Sequence, residues 1–413
     1  MAQTRTRPWR AAPWTACVAL SGLCAGTPHA AADRLGGSNL PQSKPPSLKG
    51  RISEGGATVA LVVGTSVGAT TNAGPTLLEK PSAFLDTSLG YAQIIKTALG
   101  RVDLSVNLTD RSYSSFSEAD ELTGTAAAAL THDWGNAQTS VALTVASSSD
   151  VEERLTETSL VIEHAVTLAG TKPYVRAEAA LLDYRDLPGP AGPFQSQNDR
   201  DRISSRVLTG LRTTLTDHLT LETGAGVDLK TYLERADDFG VERDSVSVFP
   251  LIGLAYAGER VSFRAVYTPF LRMYREPLFD DAWRHGYQIE GEAKLSDEWK
   301  AFGAARYGFE ETDFLIASSA YERVMLGGLT LTLPQGVLTF AASRSWRTYD
   351  GLGLLAIGRA DAKTEFAISG DMPMGENISL NARVSYLAYE SSFGFLETDQ
   401  LTAMVGLSYA VTR

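Results

Sequence analysis

Residues 219–230 read LTLETGAGVDLK. The odd-numbered positions are apolar or small: Leu219, Leu221, Thr223, Ala225, Val227 and Leu229. The even-numbered positions are polar or glycine: Thr220, Glu222, Gly224, Gly226, Asp228 and Lys230. Period two is the mark of a strand with two unlike faces. The pattern continues through Tyr232 towards Arg235, more than twice the five or six residues of an ordinary strand. A strand tilted by about 45° needs roughly 9–11 residues to cross the hydrocarbon of a bilayer. The length of this segment is therefore that of a membrane crossing.

The same pattern recurs in about eighteen segments, from 57–70 to 398–411, with 260–274 and 284–296 each expected as one strand. The connections alternate between short and long. Gly135-Asn136, Asp217-His218, Gly258-Glu259, Asp297-Glu298 and Gln335-Gly336 are tight-turn pairs. RSYSSFSEAD (111–120), RDLPGPAGPFQSQNDRD (185–201), ADDFGVER (236–243), EPLFDDAW (276–283) and DGLGLLAIG (350–358) are long. One trimmed rim and one elaborated rim describe an up-and-down barrel with short periplasmic turns and long extracellular loops. The fold class expected is therefore all-β: a transmembrane antiparallel β-barrel of 16–18 strands over residues 57–413. A soluble all-β sheet is the alternative, but sheets of this size rarely persist without splitting.

Composition agrees. The 413 residues are 44% hydrophobic with a formal net charge of -11 and mean hydropathy of -0.08. Past the N-terminus no apolar run is long enough for a transmembrane helix. Residues 1–32 read as a secretory signal: Arg5, Arg7 and Arg10, then AAPWTACVALSGLCAG (11–26), then Ala30-Ala31-Ala32 with cleavage after Ala32. Both cysteines, Cys17 and Cys24, fall in that segment, which leaves no disulfide, thiolate metal site or cysteine nucleophile. Losing three arginines and no acids moves the net charge from -11 to -14, so nucleic acid is not an expected partner. Residues 33–56, rich in Gly, Pro and Ser, read as a flexible periplasmic lead-in.

If the apolar face meets lipid, the other lines a polar lumen. Val261, Phe263, Ala265 and Tyr267 then face lipid, opposite Ser262 and Arg264; Ile378, Val384 and Tyr386 face lipid, opposite Ser379, Arg383 and Ser385. Strand 337–349 sorts poorly, because Leu338 and Phe340 share a face with Arg344. The candidate lumen and selectivity residues are Arg176, Glu178, Arg206, Arg212, Glu222, Asp228, Lys230, Arg264, Glu290, Glu292, Lys294, Arg306 and Arg383, with Lys300, Asp361, Lys363 and Glu365 on the same side. They either form opposed rows that set a transverse field across a pore or pair and brace the wall. Lys294 is expected near Lys300, and Glu290 or Glu292 near Arg306. Tyr113, Trp134, Tyr184, Tyr232, Tyr256, Tyr274, Trp283, Trp299, Tyr349 and Tyr409, near strand ends, suit aromatic girdles at the two membrane interfaces.

The phrases LTDHLTLETGAGVDLKTY and YERVMLGGLTLTL, within a pattern spanning about 57–411, resemble Gram-negative outer-membrane β-barrels and, more narrowly, the β-barrel porin type 2 family. The resemblance implies an outer-membrane component associated with exopolysaccharide systems and carries over no functional residues. The chain closes on Ser408-Tyr409-Ala410-Val411-Thr412-Arg413, with Tyr409 in place of a terminal aromatic.

Chemical motifs are sparse. There is no HExxH, P-loop or GxSxG, and no enzyme activity, metal or cofactor is expected. His132 or His164 with a same-face serine would be needed for a barrel hydrolase. DDFGVERD (237–244) and EPLFDD (276–281) gather carboxylates that either hold a weak divalent cation or are solvated loops. Loop 185–201 is the candidate to fold inward and constrict the lumen. The expected function is an outer-membrane pore for hydrophilic solutes, which the family resemblance would extend to polysaccharide export; the alternative is a closed barrel acting as an anchor or scaffold through its loops. The expected partners are outer-membrane lipid, the assembly machinery of that membrane, and a hydrophilic solute or polysaccharide.

Overall fold

The computed structural model describes residues 59–73, 80–149, 154–185, 200–236, 240–276, 279, 281–310, 317–351, 359–392 and 397–412. The expected signal, the lead-in and most of loop 185–201 lie outside the described residues. In chain order the strands are β1 (Val59–Thr70), β2 (Ser82–Thr97), β3 (Gly100–Tyr113), β4 (Glu121–Asp133), β5 (Ala137–Ser149), β6 (Arg154–Val166), β7 (Thr171–Arg185), β8 (Arg202–Thr216), β9 (Leu219–Tyr232), β10 (Ser245–Ala257), β11 (Val261–Tyr267), β12 (Phe270–Tyr274), β13 (Ala282–Arg284), β14 (Tyr287–Lys294), β15 (Trp299–Glu310), β16 (Ala317–Leu333), β17 (Gly336–Gly351), β18 (Ala360–Pro373), β19 (Ile378–Ser391) and β20 (Thr398–Thr412).

Two pairs of these are halves of single staves. β11 and β12 both pair with β10, while β14 pairs with β11 and β13 with β12. The sequence leads one to expect 260–274 and 284–296 unbroken. Pro269 supplies no N–H to a ladder and forces an irregularity, and the chain regains pairing through Thr268 and Gly286, which exchange N–H···O bonds at 2.8 and 3.1 Å. The result is eighteen antiparallel staves, each paired with its chain neighbours, and β1 pairs with β20 from Ala60↔Thr412 to Thr70↔Thr402. The sheet is a closed barrel.

That closing seam is stapled at the long-loop end. Asn72 is 2% exposed; its Nδ2 donates to Thr398 Oγ1 at 2.8 Å, and its carbonyl accepts from Gln400 Nε2 at 2.5 Å and Thr70 Oγ1 at 3.0 Å. At the other rim the turns are tight. Gly170 follows Ala169 with φ of 89°, a left-handed conformation that glycine adopts without penalty.

The distribution of apolar surface is the reverse of a soluble protein's. Val63, Leu229, Ile289, Phe366, Val384 and Leu407 are each exposed, whereas Asp228, Glu322, Asp361, Lys363 and Glu365 are buried. Exposed apolar area this extensive marks a surface that meets lipid. Along β9, Val227 and Leu229 point out, and Asp228 and Tyr232 point in. Strand β17 also alternates: Ser343 and Ser345 are buried inside, and Arg344 faces out with Phe340.

Closure makes a direct prediction. Directly opposed antiparallel residues lie about 4.5–5.5 Å apart at Cα, within disulfide range. Val67 opposes Val405 across the seam, so Val67→Cys with Val405→Cys should crosslink on oxidation in the folded protein. Lack of crosslinking in a heat-modifiable, folded barrel would mean the seam is not formed.

Candidate functional site: the charged inner wall

The inner wall carries linked ion pairs. On its first sector, Arg212 of β8 donates from Nη1 to Glu163 Oε1 of β6 at 2.7 Å and from Nε to Glu222 Oε1 of β9 at 3.1 Å. Arg264 of β11 donates to the second oxygen of Glu222 at 3.1 Å. Arg176 of β7 lies 2.5 Å from Glu178 and 4.0 Å from Glu163. This network crosses six staves. It passes β10 because Gly253 stands opposite Glu222 and leaves its carboxylate uncovered. It passes β7 over Tyr174, whose ring lies 4.1 Å from the Arg212 guanidinium carbon. Tyr174 in turn lies over Gly210, where a Cβ would come within 2.8 Å of the tyrosine oxygen and 2.6 Å of the Thr223 carbonyl. An aromatic lying over a cross-strand glycine is a packing device of curved sheets.

Further pairs continue around the wall. Arg206 reaches Asp228 at 3.4 Å. Glu322 of β16 is shared by Arg306 of β15 and Arg347 of β17, the latter at 3.7 Å. Arg383 donates to Glu365 at 3.3 Å. Arg359 lies 2.9 Å from Asp361, which also accepts from Ser391 Oγ at 2.7 Å. Arg111 holds Asp86 through two bonds of 2.7 and 2.9 Å, the bidentate geometry that makes arginine–carboxylate pairs strong. Lys230 and Lys363 share this inward face, Lys363 buried at 6% exposure.

All the sequence-derived lumen candidates thus stand on the inner side, Glu290 included. Lys294 stands near Lys300, as expected. Lys294 and Lys300 are opposed in register, but Lys300 takes Glu292 at 2.5 Å and Lys294 takes Asp297 at 2.7 Å. That hydrogen bond holds the Asp297 carboxyl below its ordinary value. Arg306 pairs with Glu322 on β16. The bonds run between nearby staves along the wall, so they brace it, and opposite charges neutralise each other locally.

Aromatic placement also differs. Tyr113, Tyr184 and Tyr232 are buried on the inner face, in register with lumen positions, and Tyr274 and Tyr349 share that face; all five were expected in interface girdles. Trp134, Trp283 and Tyr409 are outside and exposed. Four of the inward tyrosines share a closing device. The backbone N–H of Tyr113 donates to Asp120 Oδ1 at 2.7 Å, that of Tyr184 to Asp201 at 2.6 Å, that of Tyr232 to Asp244 at 2.8 Å and that of Tyr274 to Asp281 at 3.0 Å. Each aspartate thereby closes a long loop at the top of its hairpin. Burial pushes the Asp201 carboxyl up against the lowering effect of its Tyr184 hydrogen bond. Arginines lie over these rings: Arg200 is 4.0 Å from Tyr184, and Arg359 is 4.6 Å from Tyr349. The sequence signal for this rim is a basic residue two before the tyrosine, in RSY (111–113), KTY (230–232), RMY (272–274) and RTY (347–349).

The two ends of the lumen differ. Near the short turns the Lys294, Lys300 and Glu292 side chains are about half exposed, at 54%, 48% and 43%. Near the long loops Arg272, Glu322, Arg359 and Asp361 are buried. The short 3-10 turn Ser117–Ala119 belongs to this closure, since Ala119 and Phe116 pack with Phe84, Tyr113 and Ala73. On these strands the inward charged side chains are therefore more covered towards the long loops.

The other candidate chemistry is placed as follows. His132 and His164 stand on the outside near the short turns, His132 half-buried and His164 exposed; His132 contacts the Leu99 carbonyl, and His164 contacts Thr139 Oγ1 at 2.9 Å. Neither has a serine partner among the described residues. Asp244 and Asp281 are engaged as loop-closing acceptors, Asp244 also with Arg275 at 3.3 Å. No cluster of metal-ligating groups occurs among the described residues.

No protein-family model matches the sequence, and no curated protein does. The narrower family resemblance therefore gains no support. Solved structures share the general plan at low identity. OccK1 (OpdK) of Pseudomonas aeruginosa is 11% identical, with TM-score 0.48, 86% of this chain and 99% of that chain covered. OccAB4 of Acinetobacter baumannii is 12% identical, with TM-score 0.47 and 86% and 98% covered. The siderophore receptor PirA of Pseudomonas aeruginosa is 8% identical, with TM-score 0.43 and 86% and 80% covered. The fold assignment rests on the closed register itself.

Two outcomes follow from the wall. Asp244→Ala removes the acceptor for the Tyr232 N–H and should cost about 1 kcal/mol, read as faster protease cleavage within 233–244 with the barrel intact. Glu222→Gln leaves Arg212 and Arg264 without their shared carboxylate and should lower unfolding stability by about 1–3 kcal/mol, read in a denaturant unfolding curve.

Proposed function

We propose that this chain is an outer-membrane β-barrel that passes small hydrophilic solutes. The observation that carries this reading is the inversion of polarity across a closed sheet: mostly apolar residues cover the outside, and paired charges line the inside. A closed barrel satisfies its backbone without an edge and is one of only two designs that span a bilayer. The short turns would face the periplasm and the long loops the exterior. Solute would meet the arginine–tyrosine rim first and the more open charged wall below it. Insertion would rely on the outer-membrane assembly machinery, with Tyr409 of β20 supplying the outward aromatic near the chain end.

Polysaccharide export is the narrower version; it rests on the family resemblance of the sequence alone. The scaffold reading is favoured by one observation, the burial of charged side chains near the long-loop end. Conductance separates these. Purified mature protein in a planar bilayer should open steady channels. Because the wall charges neutralise locally, the cation-to-anion permeability ratio should fall within about threefold of unity, and Glu222→Gln should shift it towards anions. Silence from a folded, inserted barrel would replace the pore with the scaffold.

A further inference from the structure

The outer wall carries charge where lipid-facing strands ordinarily avoid it. On β16 the inward positions Glu322 and Val324 are buried, so Arg323 and Met325 face out. On β17 Arg344 also faces out, with its side chain 48% exposed. An arginine at mid-bilayer on the lipid face costs about 2–4 kcal/mol, so the height of these two matters. Below Arg323 the outward positions on β16 are Met325, Gly327, Leu329, Leu331 and Leu333. Ten residues from Leu333 to Arg323, at roughly 3.3 Å each and a tilt of about 40°, rise about 25 Å. That is the height of the apolar band of such barrels, about 25 Å. Arg323 stands at its upper edge, where the headgroups of the outer leaflet begin.

The surroundings are those of an interface. Tyr287, Tyr307, Arg323 and Trp346 are direct cross-strand partners in one outward row. Tyr307 stacks with Tyr287 at 5.1 Å and with Tyr321 at 6.1 Å. The Arg323 guanidinium carbon lies 5.5 Å from the Tyr307 ring, that of Arg284 5.4 Å from Tyr321, and that of Arg344 5.2 Å from Trp346. Arg323 has no carboxylate partner among the described residues. Among the described residues Arg344 has only a distant and open one, Glu390 at 3.8 Å with 63% of its side chain exposed. The lumen arginines contrast with them: Arg212 and Arg111 are held in short bonds by carboxylates.

From this row we propose that the outer wall at β16–β17 binds the phosphate of a phosphorylated glycolipid of the outer leaflet, with Arg323 and Arg344 taking the phosphate and the Tyr307–Tyr321 stack and Trp346 flanking its sugar and upper acyl chains. The site rests on the membrane orientation given under the proposed function. Arginine suits this ligand because its planar donors match phosphate oxygens, and tyrosine and tryptophan suit the headgroup level because each is apolar with a polar tip. The lipid would seat the barrel at a fixed depth.

The test is retention of lipid by detergent-purified barrel under native mass spectrometry, after exchange with lipid A or with the same lipid freed of phosphate. Wild type should keep bound lipid A and release the phosphate-free form. Arg323→Gln with Arg344→Gln should lower retention about 25-fold, about 5-fold for each arginine near an anionic surface, and Arg323→Lys should keep part of it. Excess inorganic phosphate should compete weakly, since it lacks the sugar and acyl contacts. Equal retention of both lipids by wild type, which needs no variant, would overturn the site. Equal retention of lipid A by a folded double variant would overturn it as well. Both readings are independent of conductance, so a silent barrel that holds lipid A would count against the pore alone.

Discussion

Backbone hydrogen bonding in a medium without water governs the rest of the structure. Every N–H and C=O in the hydrocarbon layer must find a partner within the protein. A sheet meets that demand only by closing, and here β1 meets β20 through eleven register pairs between Ala60 and Thr70. Closure fixes an even number of staves for a chain whose ends lie on one rim. It also fixes the parity of every side chain, since a slip by one residue would turn the lumen lysines and arginines outward. The eighteen-stave register, the apolar exterior and the charged interior are consequences of this one requirement.

Inside, the same closure creates a second problem. An inner wall of this width cannot be filled by apolar packing, and charges held on it must be satisfied by one another or by water. The solution seen is lateral. Glu163, Arg212, Glu222 and Arg264 link staves that are not adjacent, using Gly253 and the ring of Tyr174 as the path between them. Such bonds stiffen a wall that has no core behind it. They also leave little net field, which distinguishes this lumen from one built of opposed rows of single sign. At the long-loop end, tyrosine N–H to aspartate bonds repeat on four hairpins and bring aromatic and arginine side chains inward.

Much of this was legible in the sequence. Period two, strand length and the alternation of connection lengths are local properties, and they locate the eighteen staves to within a few residues of the observed ends. The inward face of Asp228, Glu222 and Arg383 also follows from local alternation. Three things did not follow. Pairing of charges depends on register between strands, which one sequence does not state; Arg306 thus went to Glu322. Tyrosine is apolar enough to meet lipid and polar enough to meet water, so Tyr113, Tyr184 and Tyr232 gave no face by composition, and only counting parity to the strand end turns them inward. Pro269 stands within an otherwise regular alternating run, and its missing N–H shows as a break only once the neighbouring stave is in place.

The most direct test of the account is a cysteine scan of the stretch that decides the fold. Residues 57–413 contain no cysteine, so single cysteines at 225–230 can each carry a spin label in membrane-reconstituted protein. The account predicts strict alternation: labels at Ala225, Val227 and Leu229 collide with oxygen dissolved in lipid, and those at Gly226, Asp228 and Lys230 collide with a water-soluble nickel chelate. Uniform access to the water-soluble reagent along all six positions, or a period near 3.6, would contradict a lipid-facing barrel stave and with it the whole reading.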